Sequence, residues 1–321
     1  MSKVRRRDPR EQSLQPFLRW AGGKRWLAKI VSPILKQLLQ ASGGTYIEPF
    51  LGAGAMFFGL SPQRAHLSDI NAPLIQTYRT IAQSGHKVEE RIASYTINAN
   101  TYYALRKAQP IDPVEAAARF IFLNRTCYGG LYRENRAGQF NVPYGGGSRT
   151  PRGMLGDRLI SRAQFALRGV ELECCDFEKA IGHSKRGDII YCDPTYSNVK
   201  RDAFDRYGAN LFGWNDQERL AYLAENAMDR GVLVLISNGY FEELFNMYPA
   251  AYRICLDRKK TIGNRATSEY RHREYLMILD PNNRKDLWSN IGGVENRKRR
   301  ARFATLYSRT KSFNYARGLA S

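Results

Sequence analysis

The chain has 321 residues, 43% of them hydrophobic, enough for a substantial core in one large domain with an insertion or in two domains, and too apolar for a disordered chain. Its formal charge of +20 makes a polyanion the default partner. No run of about 18 apolar residues occurs and the N-terminus is polar and arginine-rich, which predicts a soluble, cytoplasmic protein without a membrane span or secretory signal.

Much of the charge sits at the ends. Residues 1–19 carry six Lys/Arg against two acids, and residues 284–321 carry ten against two. Such ends track phosphates without reading bases, or serve as solubilising tails. Five cysteines (Cys127, Cys174, Cys175, Cys192, Cys255) form no Cys-x-x-Cys pair, and the four histidines complete no zinc-ligand spacing. Neither disulfides nor a structural metal is expected.

Phe17 to Arg25 reads Phe-Leu-Arg-Trp-Ala-Gly-Gly-Lys-Arg, followed by a helical pattern through Leu27, Ile30, Val31, Ile34, Leu35 and Leu38. The spacing of a phosphate loop is missing, since no Ser or Thr follows Lys24. What remains is an indole and an ammonium beside a backbone that Gly22 and Gly23 let bend. A first strand is predicted over Tyr46 to Phe50, running into Leu51-Gly52-Ala-Gly54-Ala. The glycines permit close approach of a nucleotide-like ligand, although Phe57 stands where a dinucleotide fingerprint needs its third glycine. A second strand, Ala65 to Ser68, ends in Asp69. An acid there accepts ribose hydroxyls, or caps a helix through Leu74, Ile75 and Tyr78.

From Ala72 to about Arg168 the alternation of strand and helix stops. Asp112, Pro113 and Glu115 open an apolar helix as cap, first-turn proline and capping-box acid. Beyond it, Asn124 to Arg133 and Asn135 to Tyr144 interleave arginines, aromatics and amides on glycine-hinged chain, the composition of a groove-reading surface or of an ordinary long loop. The sheet is expected to resume at Val170 to Cys175, with Asp176 and Phe177 at its edge.

Asp188 to Ser197 reads Asp-Ile-Ile-Tyr-Cys-Asp-Pro-Thr-Tyr-Ser. The apolar run predicts a buried strand delivering Asp193 to its carboxyl edge. Pro194 offers a carbonyl and Tyr196 a flat ring, so carboxylate, carbonyl and ring suit an amino-bearing heterocycle; an Asp-Pro pair is also an ordinary turn opener. Asn198 to Trp214 reads as a lid. Asn215 with Glu218 is expected to cap a helix that buries Leu220, Leu223, Ala224, Ala227 and Met228 and stops at Gly231. Val232 to Ile236 is a further buried strand. Tyr252 to Leu256 and Tyr275 to Leu279 flank a basic loop as a hairpin would.

From Phe17 to Leu279 these stretches resemble the DNA adenine methyltransferases of the Dam type. The specific pieces are Trp20-Ala-Gly-Gly-Lys24, Glu48-Pro49-Phe50-Leu-Gly52-Ala-Gly54, Asp69-Ile-Asn71, Leu123-Asn-Arg with Gly130-Leu131 and Arg133, Phe140-Asn-Val-Pro143, and Asp193-Pro-Thr-Tyr196. The resemblance implies a doubly wound α/β domain (17–71 and 169–283) carrying an inserted, mainly helical recognition domain (72–168), between a basic arm (1–16) and a basic extension (284–321). It implies S-adenosylmethionine as cofactor and double-stranded DNA as partner, with no metal needed. Cofactor contacts fall on Trp20, Lys24, Glu48, Pro49, Phe50, Gly52, Gly54, Asp69, Asp176, Phe177 and Asp193. Catalysis falls on Asp193, Pro194 and Tyr196, acting on adenine N6 of a flipped base. DNA contacts fall on Arg19, Tyr128, Leu131, Arg133, Asn135 and Pro143, with GATC the first candidate sequence. Thr195 departs from the family, which usually has a second proline there. A catalytically silent DNA-binding protein on the same fold is the alternative.

Overall fold

The computed structural model describes residues 14–20, 22–135, 137–146, 155–156, 158–195, 212–240, 242–258, 272–289 and 291. Seven strands form one sheet: β1 (Tyr46–Glu48), β2 (Ala65–Asp69), β3 (Glu171–Cys174), β4 (Ile189–Cys192), β5 (Leu233–Gly239), β6 (Tyr252–Arg258) and β7 (His272–Leu279). Their order is β3-β2-β1-β4-β5-β7-β6. The first five are mutually parallel, and β7 runs antiparallel to both β5 and β6. The chain order reverses between β1 and β4, the point at which open α/β sheets present a crevice at their carboxyl edge.

Strand period decides which layer each side chain joins. Ile189 and Tyr191 of β4, with Leu233 and Leu235 of β5, enter one core; Ile190, Cys192, Val234 and Ile236 enter the other. Every residue of β4 and β5 is therefore buried, which explains why they read as continuous apolar runs. β3 at the edge is half-exposed, because no strand lies beyond it among the described residues.

One face is covered by α1 (Arg25–Ser42), α2 (Ala55–Leu60), α3 (Ala72–Ala93), α5 (Pro113–Thr126) and α6 (Leu159–Ala166), with α4 (Ala99–Lys107) packed on α5. The other is covered by α7 (Phe177–Gly182), α8 (Trp214–Asp229) and α9 (Glu242–Met247); α10 (Lys285–Ser289) is the last helix among the described residues. In α1 the predicted stripe buries Leu27, Val31 and Leu35, while Ile30 is 41% exposed. α3 is capped by Asn71, whose side chain accepts the Leu74 N–H, so the cap is not Asp69. α5 begins as expected, with Asp112 accepting the Glu115 N–H at 2.9 Å and Pro113 in the first turn. α8 starts one residue ahead of the expected cap: Asp216 accepts the Gly213 N–H, and Glu218 instead takes the Trp214 indole N–H. Its buried stripe is Leu220, Ala221, Ala224 and Ala227, with Leu223 and Met228 at its margin. The core over the first face runs without a break from the sheet into α3, α5 and α6.

Candidate active site

The carboxyl ends of β1, β2, β4 and β5 bring Glu48, Asp69, Asp193 and Ser237 to one edge of the sheet. Asp193 follows β4 directly. Its Oδ1 accepts the Ser237 hydroxyl at 2.7 Å and faces Lys24 Nζ at 3.0 Å; Lys24 is 2% exposed and Asp193 23%. Lys24 Nζ also donates to the Gly22 carbonyl and lies 3.7 Å from Glu274 Oε2, on β7. Burial pushes the Asp193 carboxyl above its ordinary value, and Lys24 and Ser237 oppose that rise. Both contacts converge on Oδ1, so Oδ2 carries no hydrogen bond among the described residues. Pro194 is buried and Thr195 exposed.

The turn after β1 is held from three sides. Leu51 donates to the Ser68 carbonyl, the Gly52 N–H to Asp69 Oδ2 at 3.0 Å, and Tyr78 donates to the Gly52 carbonyl at 3.2 Å. Gly52 (φ +47°) and Gly54 (φ +66°) adopt backbone that side chains disfavour. A Cβ at Gly52 would lie 3.1 Å from the Trp20 indole nitrogen, and one at Gly54 3.0 Å from the Tyr78 hydroxyl. Here the glycines make room for neighbouring rings of the same chain. Glu48 lies beneath the turn, accepting from Tyr46 Oη and the Phe57 N–H; desolvation pushes it up to about 8, so it is largely protonated at neutral pH. Asp69 also accepts the Asn71 N–H and is raised by burial.

Around this edge, Phe50 stacks on Phe177 with centroids 5.3 Å apart, and Phe212 packs edge-on against Phe50. Asp176 caps α7 by accepting the Glu178 N–H. Arg219 pairs with Asp176 at 2.8 Å while its guanidinium lies over Phe177. Asp176 thereby orients the ring next to it.

The recognition candidates lie on a short hairpin closed by bridges Cys127–Tyr144 and Glu134–Phe140. Alternation leaves Leu131, Arg133 and Asn135 exposed and turns Tyr132 inward, where it stacks on Trp20 at 5.6 Å. Tyr128 and Pro143 are exposed and joined by a Tyr128 N–H to Pro143 carbonyl bond; Arg133 Nε donates to Asn141. Arg19 is tied to this element by its backbone. Asn124 Oδ1 accepts the Arg19 N–H at 2.8 Å, Asn124 Nδ2 donates to the Arg19 carbonyl at 2.7 Å, and Gly130 presses against the Arg19 side chain. Arg19, Trp20 and Lys24 thus link the hairpin, the glycine turn and Asp193 in one stretch of six residues. Tyr196, the arm before residue 14, the segment 198–211, the loop 259–271 and the extension after 291 lie outside the described residues.

Ser237, Glu274, Asn124, Arg219 and Phe212 take part without having been singled out. Asn124 lies in the Leu123-Asn-Arg stretch, whereas Ser237 and Glu274 reach the site only through the pairing of β4, β5 and β7.

A sheet of this order with its acids gathered on the carboxyl edge defines a Rossmann-like α/β methyltransferase. Comparison of the sequence with known families narrows the class. The chain belongs to the D12 class of N6 adenine-specific DNA methyltransferases, which it matches over residues 20–262. Among curated proteins it is 30% identical over 275 residues to the type II methyltransferase M1.LlaDCHI of Lactococcus lactis subsp. cremoris, covering 83% of this chain and 95% of the relative. It is 32% identical to the type II methyltransferase M.MjaIII of Methanocaldococcus jannaschii (78% and 92% covered). It is 34% identical to a DNA adenine methylase of Haemophilus influenzae (74% and 87%). The protein is an adenine-N6 DNA methyltransferase, with DNA as substrate and a methyl donor as co-substrate. No helix among the described residues is long and apolar enough to cross a membrane.

Proposed function

We propose that the methyl donor is S-adenosylmethionine and that the acceptor is N6 of an adenine flipped out of duplex DNA, with GATC as the first target. The observation that carries the reading is Asp193 at the carboxyl edge, anchored through Oδ1 with Oδ2 left to accept, and followed by Pro194.

The residues suit that donor. Asp69 already receives backbone N–H groups on both oxygens and keeps lone pairs for ribose hydroxyls, while the half-buried Phe50, backed by Phe177, supplies a ring for a purine. Trp20, Lys24, Glu48, Pro49, Gly52, Gly54 and Asp176 complete the rim. When bound, S-adenosylmethionine supplies an electrophilic methyl group. The chain's part is to make N6 nucleophilic. The N6 lone pair is conjugated into the ring; accepting its two hydrogens at Asp193 Oδ2 and the Pro194 carbonyl favours a pyramidal nitrogen with its lone pair turned out of the ring plane. The N6–methyl bond forms as the sulfur–methyl bond breaks, sulfur keeps the pair, and N6 sheds one proton. Asp193, whose proton affinity burial raises, is assigned to take that proton. Tyr196 is assigned the face on which the extruded base stacks.

Target reading is assigned to Arg19, Tyr128, Leu131, Arg133, Asn135 and Pro143, within an inserted unit spanning 72–168 between the two parts of the catalytic domain. The basic ends 1–16 and 284–321 are assigned to phosphate tracking. The test is transfer of labelled methyl to GATC-containing and GATC-free duplexes, with Asp193→Ala as control. Label on GATC duplexes alone, lost in the control, supports the whole reading. Label on both overturns the target sequence, and DNA binding without any label would leave a catalytically silent DNA-binding protein.

A further inference from the structure

We propose that His66, Glu171 and Glu173 form a site for one divalent transition-metal ion, Zn2+ being the best match, that ties β2 to β3. Parallel pairing sets His66 beside Glu171 and Ser68 beside Glu173, so the period of two puts the imidazole and both carboxylates on the same face of the sheet. One donor atom from each of the three lies within 4.8 Å of the others. Sequence spacing gave no hint of this set, because strand pairing assembles it from distant parts of the chain.

A second observation points to a ligand. His66 is 5% exposed, and its Nε2, which faces Glu173, has no hydrogen-bond partner among the described residues. Glu173 Oε2 is 3.3 Å away and out of hydrogen-bond alignment. That separation is the edge of a tetrahedron whose bonds to its centre are about 2.0–2.1 Å, the length of Zn–N and Zn–O bonds. An ion at that centre would engage the buried nitrogen that the protein itself leaves unbonded. Lys179 of α7 holds the opposite oxygen, Glu173 Oε1, and so leaves Oε2 facing the imidazole, the orienting role that outer partners play at metal centres. One imidazole and two carboxylates suit a first-row divalent ion and leave a fourth position for water. The location gives the ion a structural task. Residues 72–168 leave the sheet after β2 and return before β3, and a bond between these strands closes that long detour.

The test uses the full chain freed of metal by chelation and titrated with ZnCl2, read by calorimetry and by thermal unfolding, with Co2+ as a spectroscopic substitute. One ion per chain, raising the unfolding temperature of the wild type, is expected. His66→Gln and Glu171→Gln should each weaken binding more than about tenfold. Cys175→Ser, which alters the thiol beside Glu173, should leave it unchanged. Should a variant fail to fold, wild-type Co2+ protein decides: a tetrahedral visible spectrum without thiolate charge transfer supports the site. Absence of stoichiometric binding, binding undiminished in both His66→Gln and Glu171→Gln, or loss in Cys175→Ser alone overturns it.

Discussion

Lys24 places its ammonium 3.0 Å from one oxygen of Asp193, at the end of a strand that brings that carboxylate out of a continuous apolar core. The lysine is buried and its second carboxylate neighbour, Glu274, comes from the antiparallel strand β7. One cation between two acids opposes the rise in proton affinity that burial imposes on the nearer acid.

Replacing Lys24 with Met removes the strongest influence holding the Asp193 carboxyl down, so its proton affinity rises further. The fold survives because Asp193 can take a proton. If the reaction uses the ionised carboxylate, the acidic limb of the turnover profile moves to higher pH, and turnover at neutral pH falls by about 10²-fold or more. A profile of unchanged position in Lys24→Met would contradict this role.

Glu48 ties stability to pH. Its carboxyl is raised from 4.5 to about 8 in the folded chain, so the native state holds a proton that the unfolded state has already released. Stability from this group is greatest below pH 4.5 and is lost as pH rises toward about 8. The loss is on the order of 2–5 kcal/mol. Glu48→Gln keeps acceptor geometry without the titration. Its unfolding temperature should gain on that of wild type between pH 6 and pH 9, a trend that thermal denaturation across that range will show or refute.

Gly52→Ala adds a methyl group against the Trp20 indole at a φ of +47°. Left-handed strain of about 1–2 kcal/mol and displacement of the indole are expected together. The KM for S-adenosylmethionine should rise by more than about tenfold, with DNA affinity nearly unchanged, as separate titrations of the two ligands would reveal.

Asn124→Ala leaves the Arg19 backbone without both of its side-chain hydrogen bonds, at a stability cost of about 2–3 kcal/mol. Arg19 then loses its fixed relation to Leu131 and Arg133. Discrimination between GATC and singly altered sites should fall by about tenfold, more than the rate on GATC itself; competition assays on paired duplexes measure both.

Thr195→Pro restores the more usual family residue at an exposed position. Proline there restricts Pro194 to extended conformations and steadies its carbonyl. Turnover should stay the same or rise, and a large loss would show that the Thr195 N–H has a role of its own.

The strands that carry the site could be read from the sequence because burial on both faces makes them continuous apolar runs with an acid at the tip, as at Asp193. Asp69 was placed correctly at the end of β2, but its first partner is the Gly52 N–H, a contact that depends on how the neighbouring turn folds. Strand order was beyond reach, and with it the approach of Ser237 and Glu274, whose sequence neighbours are ordinary strand residues. Asn215 and Glu218 satisfy a capping pattern, yet Asp216 makes the competing bond to Gly213 two residues earlier. Local rules chose the helix and missed its first two residues.

Trp20 is wedged between the glycine turn and Tyr132, where any molecule settling on the rim changes the surroundings of its indole. The chain has four tryptophans: besides Trp20, Trp26 packs half-buried against the core, Trp288 is sealed against Asp280 and Trp214 bonds to Glu218. Emission from Trp20 is therefore an intrinsic optical gauge of occupancy. It would register donor binding in a protein that cannot turn over, and so tell an empty variant from one that is loaded but inert.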